Sequence, residues 1–445
     1  MEINVRRTVD ERPMSRFQVT AVVVCIVLNM LDGFDVLAVA FSAAHLSADW
    51  KLTGKEIGVL LSAGLFGMAG GSMFIAPLAD RVGRRPLVIG CLATIACGMM
   101  ASAFAQNLTQ LVALRAATGL GIGGMLASTA VIASEYSSLR WRSGAVSMQS
   151  TGYALGATLG GAASAYLLMH FGWRSVFVFG GLATAIVLPL VLSSLPESLD
   201  FLIARRPAFA LDKVNNILER MGVERISALP KTEPTIGREQ SSASPLSHGT
   251  MGQTLCIWAA FFCVMAGFYF VMSWTPKLLV QAGLSAVQGI TGGVLLNVGG
   301  MVGCTLFSFA SARCNVVRLL AGFLVASALL IGMFGAVSSS LSVALIVSVI
   351  LGAVISACVG GLYALTPRLY APQVRATGVG WAIGMGRAGA ILAPFAVGAL
   401  LDSGWSVSGL YYLFCGPFIL AVLFVVSISL KTSVPALPEG QQALH

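Results

Sequence analysis

Charge is what this sequence has least of. Asp, Glu, Lys and Arg make up only 10% of its 445 residues and hydrophobic residues 57%, whereas roughly a quarter of the residues in a soluble globular domain are charged. That scarcity excludes a water-soluble fold and points to a polytopic membrane protein. Histidine is scarce too: His45, His170, His248 and His445 stand apart at ends and loops. The cysteines form no CxxC pair, and Cys25, Cys91, Cys97, Cys256, Cys263, Cys304, Cys358 and Cys415 all fall in apolar runs. They read as small hydrophobes, so neither a disulfide, a metal site nor a cofactor is expected. No small-residue cleavage site follows the first apolar run, so the charged segment ahead of it reads as retained and not as a signal peptide.

The formal net charge of +9 raises nucleic acid as a partner, but its placement argues against one. Arg6, Arg7, Arg12, Arg16, Arg81, Arg84, Arg85, Arg140, Arg142, Arg313, Arg318, Arg368, Arg375 and Lys431 fall on one side of the apolar runs, with the long polar stretch in mid-chain. Lys51, Lys55, Arg174 and Lys277 are nearly all that the other side holds. The positive-inside rule makes the basic side cytoplasmic, with both termini inside and the chain in the inner membrane.

The chain is organised around Leu31-Asp32-Gly33-Phe34-Asp35 in the middle of an apolar run from Phe17 to Leu46, long enough to cross a hydrocarbon core of about 30 Å. One Asp at a helix centre disfavours insertion by roughly 2.5 to 3.5 kcal/mol, and here there are two. Three residues apart on a helix, they share a face. A like neighbour and a low dielectric both favour a carboxyl that holds its proton, so the pair is a candidate proton carrier. Gly33 removes a side chain where a ligand or another helix can approach.

Further spans follow, to a total of about twelve. Residues 1–16 form a tail, 17–195 a first six-helix bundle, 196–252 a polar linker, 253–430 a second bundle and 431–445 a closing tail. The linker carries an amphipathic pattern in Phe209, Val214, Ile217 and Leu218. A shift of 234 positions lays Tyr136 on Tyr370, Gly144 on Gly378 and Gly152 on Gly386, so the two halves repeat. Such repetition belongs to transporters with a midplane site between bundles. The expected fold is therefore all-α integral membrane, two pseudo-symmetric six-helix bundles.

Three stretches make the sequence recognisable: the turn Asp80-Arg81-Val82-Gly83-Arg84-Arg85, the helix around Arg115, Gly119 and Gly121, and the turn from Leu369 through Pro372 and Arg375 to Gly378. They resemble signature motifs of the major facilitator superfamily. Asp32 and Asp35, Glu135-Tyr136 with Arg140 and Arg142, and Gly380-Trp381 followed by Gly386-Arg387 and Pro394 are similar to the aromatic acid:proton symporter family within it. The chain departs from the pattern at Ala76, usually Gly, at Ser138, commonly Pro, and at Ser311 to Asn315, where the second copy of the turn lacks its acid and glycine. Helix five carries the glycines of the antiporter signature, Gly152, Gly156, Gly160 and Gly161, but Ala157 replaces its proline, which favours symport.

The resemblance implies proton-coupled import of an aromatic carboxylate such as benzoate, hydroxybenzoate or gentisate, by a monomer in the lipid bilayer that is not an enzyme. Asp32, Asp35 and Arg115 are assigned to proton coupling. Arg387, which falls near mid-membrane and stays charged there, is assigned to the substrate carboxylate. Phe34, Tyr153, Trp274, Trp381 and Tyr363 are candidates to wall the aromatic ring, with Tyr269 beside them, and Asn29, Gln149 and Asn297 are polar mid-span residues suited to the same cavity. Asp80, Arg81, Arg84, Glu135, Arg140, Arg142 and Arg375 are assigned to gating through charge pairs and helix-end dipoles. Alternatives are a transporter of another organic anion or a sugar, a sensor of aromatic acids, and an intramembrane aspartyl protease, the last disfavoured because its two acids must face each other across helices.

Overall fold

The computed structural model describes residues 12–229, 251–311, 313–337, 341–370 and 375–431. Among them, twelve helices are long and apolar enough to cross a membrane. The first half holds α1 (Arg16–Trp50), α2 (Gly54–Val82), α3 (Arg84–Ala103), α4 (Leu108–Glu135), α5 (Leu139–Phe171) and α6 (Trp173–Ser194). Two short helices follow in the linker, α7 (Leu199–Arg205) and α8 (Ala210–Arg220). The second half holds α9 (Met251–Gln281), α10 (Ala286–Ser311), α11 (Val316–Val337), α12 (Leu341–Leu365), α13 (Arg375–Asp402) and α14 (Val407–Lys431).

Local chemistry sets the helix ends. Ser15 and Gln18 form a capping box that starts α1, and Thr53 and Glu56 form one that starts α2. α1 runs through His45 to Trp50, past the apolar run, and stops where Lys51 turns left-handed at φ 53°. Toward its end α2 loosens into a π turn at Gly71–Ile75 and a tighter one at Ala76–Leu78, where Pro77 has no N–H to give.

With no hydrophobic drive between helices in lipid, close packing falls to small residues. In the first half Gly119 of α4 lies on the Gly64 carbonyl of α2, and in the second Gly352 of α12 lies on the Leu296 carbonyl of α10, at contacts a Cβ would block. The glycines of α5 are a packing stripe of this kind: Gly156 lies on Met30 and Gly160 on Phe34, while Gly33 of α1 takes the Tyr153 carbonyl of α5.

The halves meet through α2 on α13, α5 on α10 and α1 on α9. On the side away from the linker they are closed. There Gly54 and Gly398 lie backbone to backbone, Gly58 lies on the Pro394 carbonyl, and Ser62 Oγ donates to the Ile391 carbonyl at 2.7 Å. Asp402, at the end of α13, accepts from the first free N–H groups of α2, Gly54 at 2.6 Å and Lys55 at 2.7 Å. On the linker side the halves part around a central cavity.

The linker packs under the first half. Val214, Ile217 and Leu218 of α8 are buried, as their spacing predicts. Phe209, expected on the same face, instead precedes the helix at φ 61° and is exposed. Glu197 caps α3 from outside, accepting from the Arg84 and Arg85 N–H groups at 2.8 and 3.2 Å, because Gly83 (φ 103°) offers no side-chain cap.

Candidate functional site

Two neighbouring cavities lie between the halves, sharing Tyr153 of α5 and Tyr363 of α12 as lining residues. The inner one, about 170 Å³, is lined by Asp32, Tyr153, Met265, Tyr269, Tyr363 and Arg387 among others. The larger, about 640 Å³, runs from Asn29 and Asn297 to Ser311 and Ala364 at the linker-side ends of α10 and α12. The site is therefore open on the linker side and sealed on the other.

The two acids of α1 have parted company. Asp35 points into the first half and is 2% exposed; the Arg115 guanidinium of α4 donates to its Oδ1 at 2.9 Å, its Oδ2 at 3.2 Å and its own backbone carbonyl at 2.8 Å. This is the two-pronged geometry that suits a guanidinium and a carboxylate. Arg115 also meets Met99 Sδ at 3.0 Å and lies over the Phe177 ring, its carbon 5.9 Å from the centroid. Asp32, equally buried at 2% exposure, has no hydrogen-bond partner for either oxygen among the described residues. A buried carboxyl without a partner is costly in an apolar setting.

Arg387 of α13 is half-buried, lines the same cavity as Asp32, and has no ion pair or hydrogen bond among the described residues. A guanidinium cannot shed its charge. The cavity thus brings together a guanidinium and a carboxyl, neither with a polar partner among the described residues.

Tyr153, Tyr269 and Tyr363 line this cavity, and Tyr363 is braced edge-on by Phe261 at 5.5 Å. Three expected ring-wall residues are placed elsewhere. Phe34 is two residues past Asp32, about 200° around the helix, and packs inside the first half against Phe179 at 5.6 Å. Trp274 is fully buried at the closed end, its Nε1 donating to the Pro394 carbonyl at 3.2 Å. Trp381 stacks on Trp258 at 5.3 Å and is 56% exposed on the outside of the bundle.

The basic turns divide as well. Arg84 pairs with Glu135, and Ser198 joins them, donating to Glu135 Oε2 at 2.7 Å and accepting from Arg84 at 2.8 Å. This knot ties α3, α4 and the linker within the first half. Arg142 Nε donates to the Ser134 carbonyl at 3.1 Å. Asp80, Arg81 and Arg140 are exposed, and Asp80 contributes only its carbonyl, to Arg205 Nε at 3.0 Å. The Arg375 side chain lies outside the described residues. Glu197, Ser198 and Asp402 escaped sequence reasoning as parts of this machinery; Pro196-Glu197-Ser198 ahead of a helical pattern was the available signal for the first two.

Comparison with known proteins agrees with this architecture. The pattern of the Major Facilitator Superfamily matches residues 22–317. The chain is 33% identical to a gallate transporter of Pseudomonas putida, over 96% of this chain and 95% of that one. It is 31% identical to a 4-hydroxybenzoate transporter of Acinetobacter baylyi, over 91% and 89%, and 29% identical to a benzoate transport protein of the same species, over 96% and 92%. Among solved structures it is similar in fold to the partially occluded inward-open xylose transporter XylE of E. coli, with TM-score 0.72, 16% identity, and 93% and 98% of the two chains covered. Twelve spans in two repeated halves around a central cavity, and sequence kinship over most of its length, make this chain a multi-pass membrane transporter of the Major Facilitator Superfamily.

Proposed function

We propose that the protein imports an aromatic carboxylate together with a proton by alternating access, with Arg387 holding the carboxylate and Asp32 carrying the proton. The observation that carries this reading is the unpartnered Arg387 and the unpartnered Asp32 on one cavity between the halves. Three tyrosines supply flat apolar walls and phenolic donors for a ring acid. That relatives are named for gallate, 4-hydroxybenzoate and benzoate supports the same substrate class.

In the cycle, Asp32 takes a proton on the far side, the anion docks on Arg387, the halves rock, and both leave on the linker side. The concentration of Arg and Lys on that side supports a cytoplasmic orientation for it and for both termini. One proton with one monoanion moves no net charge, so each unit of pH difference contributes about 1.4 kcal/mol of drive. Asp35 and Arg115 stay paired and hold α1 against α4, which keeps Asp32 in the wall of the cavity.

Uptake of labelled 4-hydroxybenzoate into proteoliposomes under an imposed pH gradient tests this. Acid outside should drive accumulation, and Arg387→Ala should abolish it with the protein still folded in the membrane. Uptake indifferent to the gradient, or normal in the Arg387→Ala variant, would sink the proposal.

A further inference from the structure

Asn29 of α1 and Asn297 of α10 face the larger cavity from opposite halves. Each amide nitrogen is turned back on its own helix. Asn29 Nδ2 donates to the Cys25 carbonyl at 3.0 Å and to Gln149 Oε1 at 3.1 Å; Asn297 Nδ2 donates to the Gly293 carbonyl at 2.9 Å. A carbonyl oxygen only accepts, so these bonds fix which end of each amide is nitrogen. Both N–H groups of Asn29 are thereby used. Its Oδ1, like that of Asn297, has no partner among the described residues and is not sealed away from the cavity.

The two ends of the site therefore differ in chemistry. Arg387, which can only donate, and Tyr269, which readily donates, line only the inner cavity; Tyr153 and Tyr363 line both, and the larger cavity adds at Asn29 and Asn297 oxygens that only accept. Asn29 lies three residues before Asp32, so its amide sits about 4.5 Å further along the helix axis toward the linker side. A ligand spanning the site needs an anionic group at one end and a hydrogen-bond donor at the other.

We propose that Asn29 and Asn297 read a ring hydroxyl of the substrate and so select hydroxylated aromatic acids over the bare ring, with Gln149 as the residue that positions Asn29. This rests on the carboxylate reading of Arg387 given above. A site built to accept from a hydroxyl leaves its oxygen unpaired when the hydroxyl is missing, and discriminates by about tenfold or more. Gln149 is itself held, its Nε2 donating to the Thr129 carbonyl at 3.4 Å.

Competition against labelled benzoate uptake in proteoliposomes tests the assignment, with 4-hydroxybenzoate set against 4-fluorobenzoate, which matches its shape without the donor. The native protein should favour the hydroxy acid by about tenfold or more. Asn29→Leu and Asn297→Leu should each draw the ratio toward one, with a native-like thermal midpoint in detergent showing that the variants fold. Gln149→Leu, which frees one N–H of Asn29, should lower the ratio less. A native ratio near one, or a ratio unchanged in both asparagine variants, overturns this proposal alone. A native protein that carries no aromatic acid at all overturns the carboxylate reading and this one with it.

Discussion

Arg115 grips Asp35 through both carboxylate oxygens and its backbone carbonyl, while Asp32, less than one helical turn away, is gripped by nothing among the described residues. Two acids that share a helix and a motif thus have opposite settings: one is paired with a permanent cation, the other has no polar partner among the described residues. The difference predicts different phenotypes.

Removing one member of the buried pair leaves a charge without compensation, which destabilises by about 3 to 5 kcal/mol. Asp35→Leu and Arg115→Leu should each lower the thermal midpoint in detergent by several degrees or fail to accumulate in the membrane. The double variant, which leaves no orphan charge, should recover part of the loss. A double variant no better than the worse single one would count against the pair as a structural unit.

Asp32→Asn keeps the shape and removes the proton site. It should fold, bind and exchange labelled for unlabelled substrate, yet fail to concentrate substrate when acid is applied outside. Native uptake should rise as external pH falls, because Asp32 must be protonated before the loaded carrier turns; the variant should lose that dependence. Accumulation up to the native level in the Asp32→Asn variant would refute the coupling role.

Asp402 links the halves through the start of α2, a cap of a kind usually worth about 1 kcal/mol. Asp402→Ala should shift the carrier toward the form open on the far side, read as greater labelling of a cysteine placed at Ser62 by an impermeant maleimide. Gly398→Leu should go further, since its side chain would press on the Gly54 carbonyl and hold the seal apart. Labelling at or below the background of the native carrier in both variants would remove the latch.

Glu197 answers the free N–H groups that open α3, and Tyr136 donates to its carbonyl at 2.6 Å. Glu197→Ala should lower stability by about 1 to 2 kcal/mol, seen as a lower thermal midpoint, with substrate affinity unchanged. Affinity falling in step with stability would tie the linker to the binding site more closely than the geometry does.

How much was legible in advance follows from what burial does to different side chains. Asp32, Asp35, Arg115 and Arg387 stood out because charge inside an apolar run has no bland explanation in lipid; the first three are buried and Arg387 lines the cavity between the halves. The spans were legible from length and hydropathy. Aromatic residues carried no such signal: Phe34, Trp274 and Trp381 are as welcome in a bundle core or facing lipid as in a cavity, so only coordinates could separate them from Tyr153 and Tyr363. Glu197 and Asp402 were hidden for another reason. Each sits among polar neighbours at a helix boundary, where a carboxylate is ordinary, and each acts on a backbone distant in sequence.

The far-side closure is chiefly main chain laid on main chain, at Gly54 against Gly398 and Gly58 against Pro394. Where backbone meets backbone there is no side chain to withdraw, so opening at those points needs only the Asp402 and Ser62 side chains to let go. A seam of this kind costs little to reopen, because few side-chain contacts hold its edges together.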